Sequence, residues 1–279
     1  MQRYMQCGRY DLALANEGSR PLVMGILNVT PDSFSDGGQF NHLESAVSHA
    51  EQMISDGVDI IDIGAESTRP GVAPLPVDEE LRRLLPVLYA LRDCGKPLSV
   101  DTRNPAVMRE ALMAGADMIN DVNGFRTPES VEAVASAGCG LCVMHMQNRP
   151  ENMQLDPQYD DVAREVTAFL RESVESLMQA GVERLRICVD PGFGFGKNLQ
   201  HNLQLMKELQ AMKERLGLPM LVGVSRKSMI GQITGKPVAE RMAGSVAAAM
   251  VAADRGAAIL RVHDVAATVD ALKVRHALS

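Results

Sequence analysis

Apolar and polar positions along this chain alternate in blocks. From Pro21 onward a short, almost wholly apolar run ends in polar residues, a loop follows, and then apolar residues recur at helical spacing. Runs this uniformly apolar suit strands of a parallel sheet covered on both faces. The first is Leu22 to Asn28, followed by a helix over His42 to Ser55. The strand signal recurs at Val58 to Gly64, Pro97 to Asp101, Met118 to Val122, Gly140 to His145, Leu185 to Asp190, Pro219 to Val224 and Ala258 to Val262. Further helices are predicted from about Asp78, and over Pro105 to Ala114, Pro128 to Ala137, Val162 to Ala180, Leu199 to Leu216, Val238 to Arg255 and Val265 to Ala277. Pro86 sits inside the second helix and is expected to break or kink it. Gly57, Gly115, Gly138, Gly181, Gly217 and Gly256 each precede a strand closely, where a left-handed helix cap is expected.

Eight strand–helix units over ~250 residues match the size and count of a TIM (β/α)8 barrel. A doubly wound open sheet is the alternative, and it would normally stop at fewer strands. No composition shift or Pro/Ser-rich linker divides the chain, so residues 1–279 read as a single barrel domain. Tyr4 to Leu14, centred on Cys7-Gly8-Arg9, suggests a β-hairpin in an N-terminal extension of residues 1–20 that plugs the barrel bottom.

Composition narrows this picture. Apolar residues make up 46% of the chain and aromatics 4%, with no Trp, so the core is expected to be aliphatic. A net charge of -7 argues against general nucleic-acid binding, and an anionic ligand would need its own local basic cluster. Five cysteines, an odd number in a long chain, fit reduced thiols in a cytoplasmic protein. Cys139-Gly140-Leu141-Cys142 has C-x-x-C spacing, but no second pair accompanies it and an apolar run follows, so buried core thiols are expected. No signal-peptide pattern is present, and the longest apolar run, Val246 to Ala253, is far short of the ~20 residues of a membrane span.

The chemistry lies at the strand ends. These are Asn28, Asp62, Asp101, Asn120 with Asp121, His145, Asp190, then Ser225-Arg226-Lys227, then Arg261 with His263. In a barrel they converge on the face where active sites sit. A single Asp after a strand is usually a loop starter or cap. Here several polar residues interrupt the apolar run before it ends, which capping does not explain. Asp101, Asn120 and Asp190 suit a flat heterocycle with adjacent N–H donors, since a carboxylate accepts two parallel hydrogen bonds. Lys227 can donate to the ring. Arg261 and His263, two apart on one strand, share a face beside the N-terminus of the closing helix, where barrels commonly hold phosphate. Asp264 is placed to cap that helix.

Several look-alikes fail. Asp32 to Gly37 opens like a calcium loop, but Phe34 stands at the third ligand position and Leu43 where Glu is required. Gly192 to Lys197 is neither a dinucleotide fingerprint nor a P-loop. Gly223-Val224-Ser225-Arg226-Lys227 lacks the closing Gly of a nucleophile elbow.

Leu27 to Gly38 (LNVTPDSFSDGG) and Asp62 to Gly71 (DIGAESTRPG) resemble the two signatures of the dihydropteroate synthase family. Matching segments continue in order through Ser99 to Thr102, Ile119 to Asp121, Val143 to Met146, Asp190 to Lys197, Ser225 to Ser228 and Arg261 to Asp264. The resemblance implies an enzyme that joins 6-hydroxymethyl-7,8-dihydropterin pyrophosphate to p-aminobenzoate, releasing pyrophosphate and giving 7,8-dihydropteroate for folate. It implies that Asp62, Asp101, Asn120, Asp190 and Lys227 hold the pterin, and that Arg261 and His263 bind the phosphates. Asn28 would ligate Mg2+ carried by the pyrophosphate. Phe34, Thr68, Arg69, Pro70, Phe195 and Ser228 would surround p-aminobenzoate, where sulfonamide inhibitors compete. Asn28 would be fixed at its strand end and Val29 to Gly38 would form a lid. A homodimer through barrel helices is also implied. Rival readings are a Schiff-base barrel aldolase using Lys227, methyl transfer from a reduced folate, and a non-catalytic pterin-binding paralogue.

Overall fold

In the computed structural model, which describes residues 3–14, 20–29, 39–66, 75–148 and 153–278, the hairpin comes first. Strands β1 (Tyr4–Cys7) and β2 (Tyr10–Ala13) pair antiparallel, Cys7 opposite Tyr10. Gly8 takes the turn at φ +57°, and a Cβ there would lie 2.7 Å from Asp117 Cα, so the turn presses directly on the barrel.

The apolar runs then become β3 (Leu22–Asn28), β4 (Ile60–Gly64), β5 (Leu98–Asp101), β6 (Met118–Asp121), β7 (Gly140–Met144), β8 (Ile187–Asp190), β9 (Leu221–Val222) and β10 (Ile259–Val262). Among the described residues these eight strands form one parallel sheet in the order β8-β7-β6-β5-β4-β3-β10-β9. A bridge between Val189 and Met220, with the Val189 N–H donating to Pro219 O at 3.0 Å, joins the two edges. Closure removes the exposed strand edges and yields the expected barrel.

Period-two alternation divides each strand between two cores. Val23, Leu27, Ile61, Ile63, Val100, Val143 and Leu260 face outward into the layer between sheet and helices. Met24, Ile60, Met118, Cys142, Cys188, Leu221 and Ile259 fill the barrel bottom together with Met5 and Cys7 of the hairpin. The extension therefore does plug the barrel. Arg9 holds it there, its Nε and Nη2 donating to the two oxygens of buried Asp117 at 2.9 and 3.0 Å. The five cysteines are free thiols, and both members of the C-x-x-C are buried.

The helices are α1 (Gln39–Ser55), α2 (Val77–Leu91), α3 (Pro105–Met113), α4 (Pro128–Ala135), α5 (Val162–Gln179), α6 (Leu199–Leu216), α7 (Ser228–Thr234), α8 (Met242–Asp254) and α9 (Val265–Leu278). Two expectations are corrected. Helix α2 runs through Pro86 without the break that was one of the two outcomes expected there. Pro86 is exposed, as is Arg82 one turn earlier, so water can solvate the carbonyl that loses its bond. The seventh helical segment is not continuous from Val238: α7 follows β9 almost at once, a 3-10 turn spans Val238–Glu240, and α8 begins at Met242. No helix among the described residues is long and apolar enough to cross a membrane.

Candidate active site at the barrel mouth

Inside the upper half of the barrel the apolar lining gives way to Asp62 on β4, Ser99 and Asp101 on β5, Asn120 on β6, Asp190 on β8 and Arg261 on β10. Asp62 and Ser99 are completely buried and Asn120 and Asp190 nearly so. Arg261 organises the cluster. Its Nε donates to Asp62 Oδ2 at 2.6 Å and its Nη2 to Asp101 Oδ2 at 2.8 Å. Asn120 Nδ2 donates to the same Asp62 oxygen at 3.3 Å. Asp62 Oδ1 and Ser99 Oγ are buried without a hydrogen-bond partner among the described residues. A buried acceptor left open costs about 1–3 kcal/mol, a cost that a ligand donor would remove.

Burial pushes the Asp101 carboxyl up to about 7, with Arg261 pulling the other way and Asp62 adding to the rise. Asp190 is also raised by burial, against Lys227 and the Gly192 N–H, which donates to its Oδ1 at 2.7 Å. For Arg261 burial disfavours the charge, but Asp62 and Asp101 outweigh it and the guanidinium stays ionised. This is a cation-bridged carboxylate pair, in which loss of either sign leaves the other stranded.

Lys227 enters from the turn after β9. Its Nζ donates to Phe193 O at 2.5 Å and lies 4.6 Å from the centre of the Phe195 ring. Burial lowers it to about 8, opposed by Asp190. The turn that delivers it is strained: Arg226 has φ +57°. A non-glycine residue there costs on the order of 1–3 kcal/mol and persists only when its surroundings hold it. Three groups do. Ser245 Oγ accepts from the Arg226 N–H at 2.8 Å, Arg241 Nη1 donates to Arg226 O at 3.0 Å, and Asp264 receives Arg226 Nε and Nη2 at 3.0 and 2.6 Å. The Asp264 carboxylate is thus spent on Arg226, which corrects its expected role as cap of α9. That pairing also neutralises an acid beside the anion corner.

His263, at the start of α9, sits with Nδ1 3.1 Å from Ser225 Oγ. Burial, then Arg261 and Arg226, bring its pKa down to about 4, so it is neutral near pH 7. Asn28 is exposed at the end of β3. The Cβ that Gly64 lacks would lie 3.8 Å from Asn28 Oδ1 and 3.9 Å from Asp101 Oδ2, so these two oxygens flank one bare backbone position. Ser228 is the exposed first residue of α7.

Not every polar strand end reaches the mouth. Asp121 turns away and accepts from the Asn123 and Phe125 N–H groups, each at 2.7 Å. His145 packs edge-on against Phe169 and meets Lys197. Arg261, read from its position as a phosphate ligand, lies across the two carboxylates through Nε and Nη2. Phe34, Thr68, Arg69, Pro70 and all of the expected Val29–Gly38 lid except Val29 fall outside the described residues, and Val29 is corrected: it packs in the core with its N–H donating to Gly64 O at 2.9 Å. The strand-end pattern marks neither the Ser99 hydroxyl nor the Lys197–His145 contact. Period two along β5 from Asp101 would have pointed to Ser99.

The sequence model of the family described as "Pterin binding enzyme" matches residues 24–263. The chain is 51% identical over 257 residues to the dihydropteroate synthase of Escherichia coli (strain K12), covering 92% of this chain and 91% of that one. The structure of Xanthomonas albilineans dihydropteroate synthase with 4-aminobenzoic acid is similar at a TM-score of 0.91 and 49% identity, covering 100% of this chain and 98% of that one. The Burkholderia cenocepacia enzyme complexed with 7,8-dihydropteroate is similar at 0.89 and 51%, covering 99% and 96%.

Proposed function

This chain belongs to the dihydropteroate synthase family of pterin-binding enzymes, and from that premise we infer how its barrel mouth performs the family's transferase reaction. The enzyme condenses 6-hydroxymethyl-7,8-dihydropterin pyrophosphate with p-aminobenzoate to give 7,8-dihydropteroate and pyrophosphate, a step of folate synthesis. The observation that carries the residue assignment is the buried set of Asp62, Asn120 and Asp190 with one Asp62 oxygen unpaired. Carboxylates facing inward in a dry site suit the N–H edge of the pterin. Lys227 donates to the ring from above, and Asp101 with Arg261 closes the pocket toward the mouth.

Arg261 links the two halves of the reaction. The carboxylates take Nε and Nη2, which leaves Nη1 for a phosphate oxygen. Neutral His263 donates from Nε2 in the tautomer in which Nδ1 accepts the Ser225 hydroxyl, and the N-terminus of α9 adds positive potential. These groups stabilise pyrophosphate as it departs, so electrostatics carry most of the catalysis. The pterin delocalises the positive charge left on its exocyclic methylene, and the neighbouring carboxylates favour it. The attacking aromatic amine is already neutral and nucleophilic near pH 7, so no strong base is required. p-Aminobenzoate lies against Phe195 with Ser228 at its carboxylate, and the family resemblance adds Phe34, Thr68, Arg69 and Pro70 as its remaining contacts. Sulfonamides, which share its aniline ring, compete there.

Asn28 fits Mg2+ as an accessory ligand. Mg2+ binds through one or two protein oxygens, substrate phosphates and water, and the exposed amide of Asn28 beside Asp101 offers that kind of donor. When bound, the metal neutralises charge on the pyrophosphate.

The whole chain, residues 1–279, acts as one catalytic domain, and its free thiols fit the cytoplasm. It pairs with a second copy through α8, whose exposed stripe of Ala243, Ala247 and Val251 is apolar. The direct test is product formation from the two substrates with and without Mg2+. Absence of dihydropteroate with both substrates and metal present would refute the assignment.

A further inference from the structure

Lys197 is a buried amine that the reaction above does not use, and burial pushes its pKa well below the ordinary lysine value. Its Nζ lies 2.9 Å from His145 Nδ1, 3.0 Å from Gly192 O and 3.0 Å from Phe195 O. Three polar atoms of the protein surround Nζ, so the side chain's hydrogen bonds are met within the protein. The Nζ–Nδ1 contact couples the amine to the His145 ring, its direction set by the imidazole tautomer.

Two of those atoms belong to the loop that leaves β8, residues 191–197. The rest of the loop is tied down as closely. The Gly194 N–H donates to Asn202 Oδ1 at 2.8 Å, and Gln154 Nε2 donates to Gly194 O. Gly196 O accepts from Tyr159 Oη at 2.9 Å, and Lys197 O from Asn202 Nδ2 at 3.3 Å. Gly192, at φ +71°, passes so near β7 that a Cβ would lie 1.8 Å from His145 O. The capping box of Asn198 and His201 starts α6 immediately after the loop and fixes its far end. The side of the loop turned to the active site carries the Phe193 carbonyl and the Phe195 ring, the two groups on which Lys227 rests.

We propose that Lys197 is a positioning residue for the transferase reaction: its three-way hydrogen bond with His145, Gly192 and Phe195 sets the loop that seats Lys227 against the substrates. The proposal rests on the reading of Lys227 given above. The physical reason is preorganisation. Displacement of a reacting or binding group by about 1 Å costs on the order of 10²-fold in rate. Without Lys197 two carbonyls and an imidazole nitrogen lose their common partner, and the Phe193–Phe195 segment is free to relax toward water.

A double-mutant cycle tests this. Lys197→Met keeps the stem and removes the donors, Lys227→Met removes the seated cation, and the pair is combined. kcat and KM for both substrates are measured beside the thermal midpoint. Each single variant is expected to lose about 10²-fold in kcat/KM for the pterin substrate, and the double variant no more than about threefold beyond Lys227→Met alone. Losses that multiply would overturn the proposal, since a merely structural role for Lys197 predicts independence. Should Lys197→Met fail to fold, the cycle is run with His145→Leu, which removes one partner of Nζ. His145→Gln, which retains a polar partner, should recover most of that loss. Multiplying losses in that second cycle, or equal activity of the Leu and Gln variants, would likewise overturn it. An inactive wild-type enzyme would bring down the transferase reading itself, whereas an active enzyme with independent variants would bring down only the role of Lys197.

Discussion

Replacing Asp190 by Asn separates binding from stability. The Gly192 N–H donates to Asp190 Oδ1 at 2.7 Å, and an amide replacing the carboxylate must keep its oxygen there. Its NH2 group then occupies the place of Oδ2, which is the oxygen left for the pterin. A donor would face the donor edge of the substrate. Loss of a hydrogen bond to a charged group costs about 1.5–3 kcal/mol, and opposing two donors adds about 1 kcal/mol or more. A total near 3 kcal/mol is about 10²-fold in kcat/KM. Stability should move the other way. Burial raises the Asp190 pKa in the folded enzyme, with Lys227 opposing, so its contribution to stability is present at low pH and lost as pH rises through the folded value. Asn does not pay that penalty. The variant is therefore expected to unfold no lower than wild type above pH 7 while turning over about a hundredfold less efficiently. Pyrophosphate release under steady state and a thermal melt at pH 8 measure both. An unchanged kcat/KM would refute the pterin assignment, and a large drop in thermal midpoint would refute the electrostatic reasoning.

Other substitutions probe separate parts of the molecule. Glu80 is buried and raised to about 7 by desolvation, with Thr102 Oγ1 donating to it at 2.6 Å. Its stabilising contribution is lost as pH rises through 7, so Glu80→Gln should gain thermal stability over wild type at pH 8 and not at pH 4. His263 runs oppositely. Its folded pKa, about 4, is depressed by burial below the unfolded 6.5, so its contribution is full above 6.5 and disappears as pH falls toward 4. His263→Gln should flatten the melting profile in that window, and an unaltered profile would contradict the buried neutral imidazole. Met5→Ala empties part of the barrel floor and should cost about 2–5 kcal/mol in denaturant unfolding with kcat unchanged. Val251→Lys, in the exposed stripe of α8, should shift sedimentation from dimer to monomer, and an unshifted profile would exclude α8 from the contact.

The strand ends could be found by reading along the chain because a parallel barrel imposes a local rule. Each strand must be apolar where helices and neighbours cover it, and it can turn polar only at the mouth. Hence Asp62, Asp101, Asn120, Asp190 and Arg261 stood out against their own runs, and the plugging hairpin followed from Cys7-Gly8-Arg9 at the centre of Tyr4 to Leu14. Helix α7 escaped notice because seven residues carrying Gly231 and two β-branched isoleucines give too short a periodic signal. Its place is set by Arg241, whose guanidinium packs on Gly231 from the next segment.

Pairing is what residue order could not reveal. Arg261 has Asp62 199 positions away and Asp101 160 positions away. Only barrel closure brings β10 beside β3 and turns that arginine across the mouth. Asp121 and His145 have the same sequence setting as Asp190, yet one faces out to cap a turn and the other backs onto Lys197. Strand alternation and the long-range contacts of each side chain decide which polar end meets the substrate. The sequence therefore determined the barrel, its floor and the identity of the polar ring. The tertiary structure decided which members of that ring share charge, because Coulomb and hydrogen-bond energies depend on distances of a few ångströms that residue order does not encode.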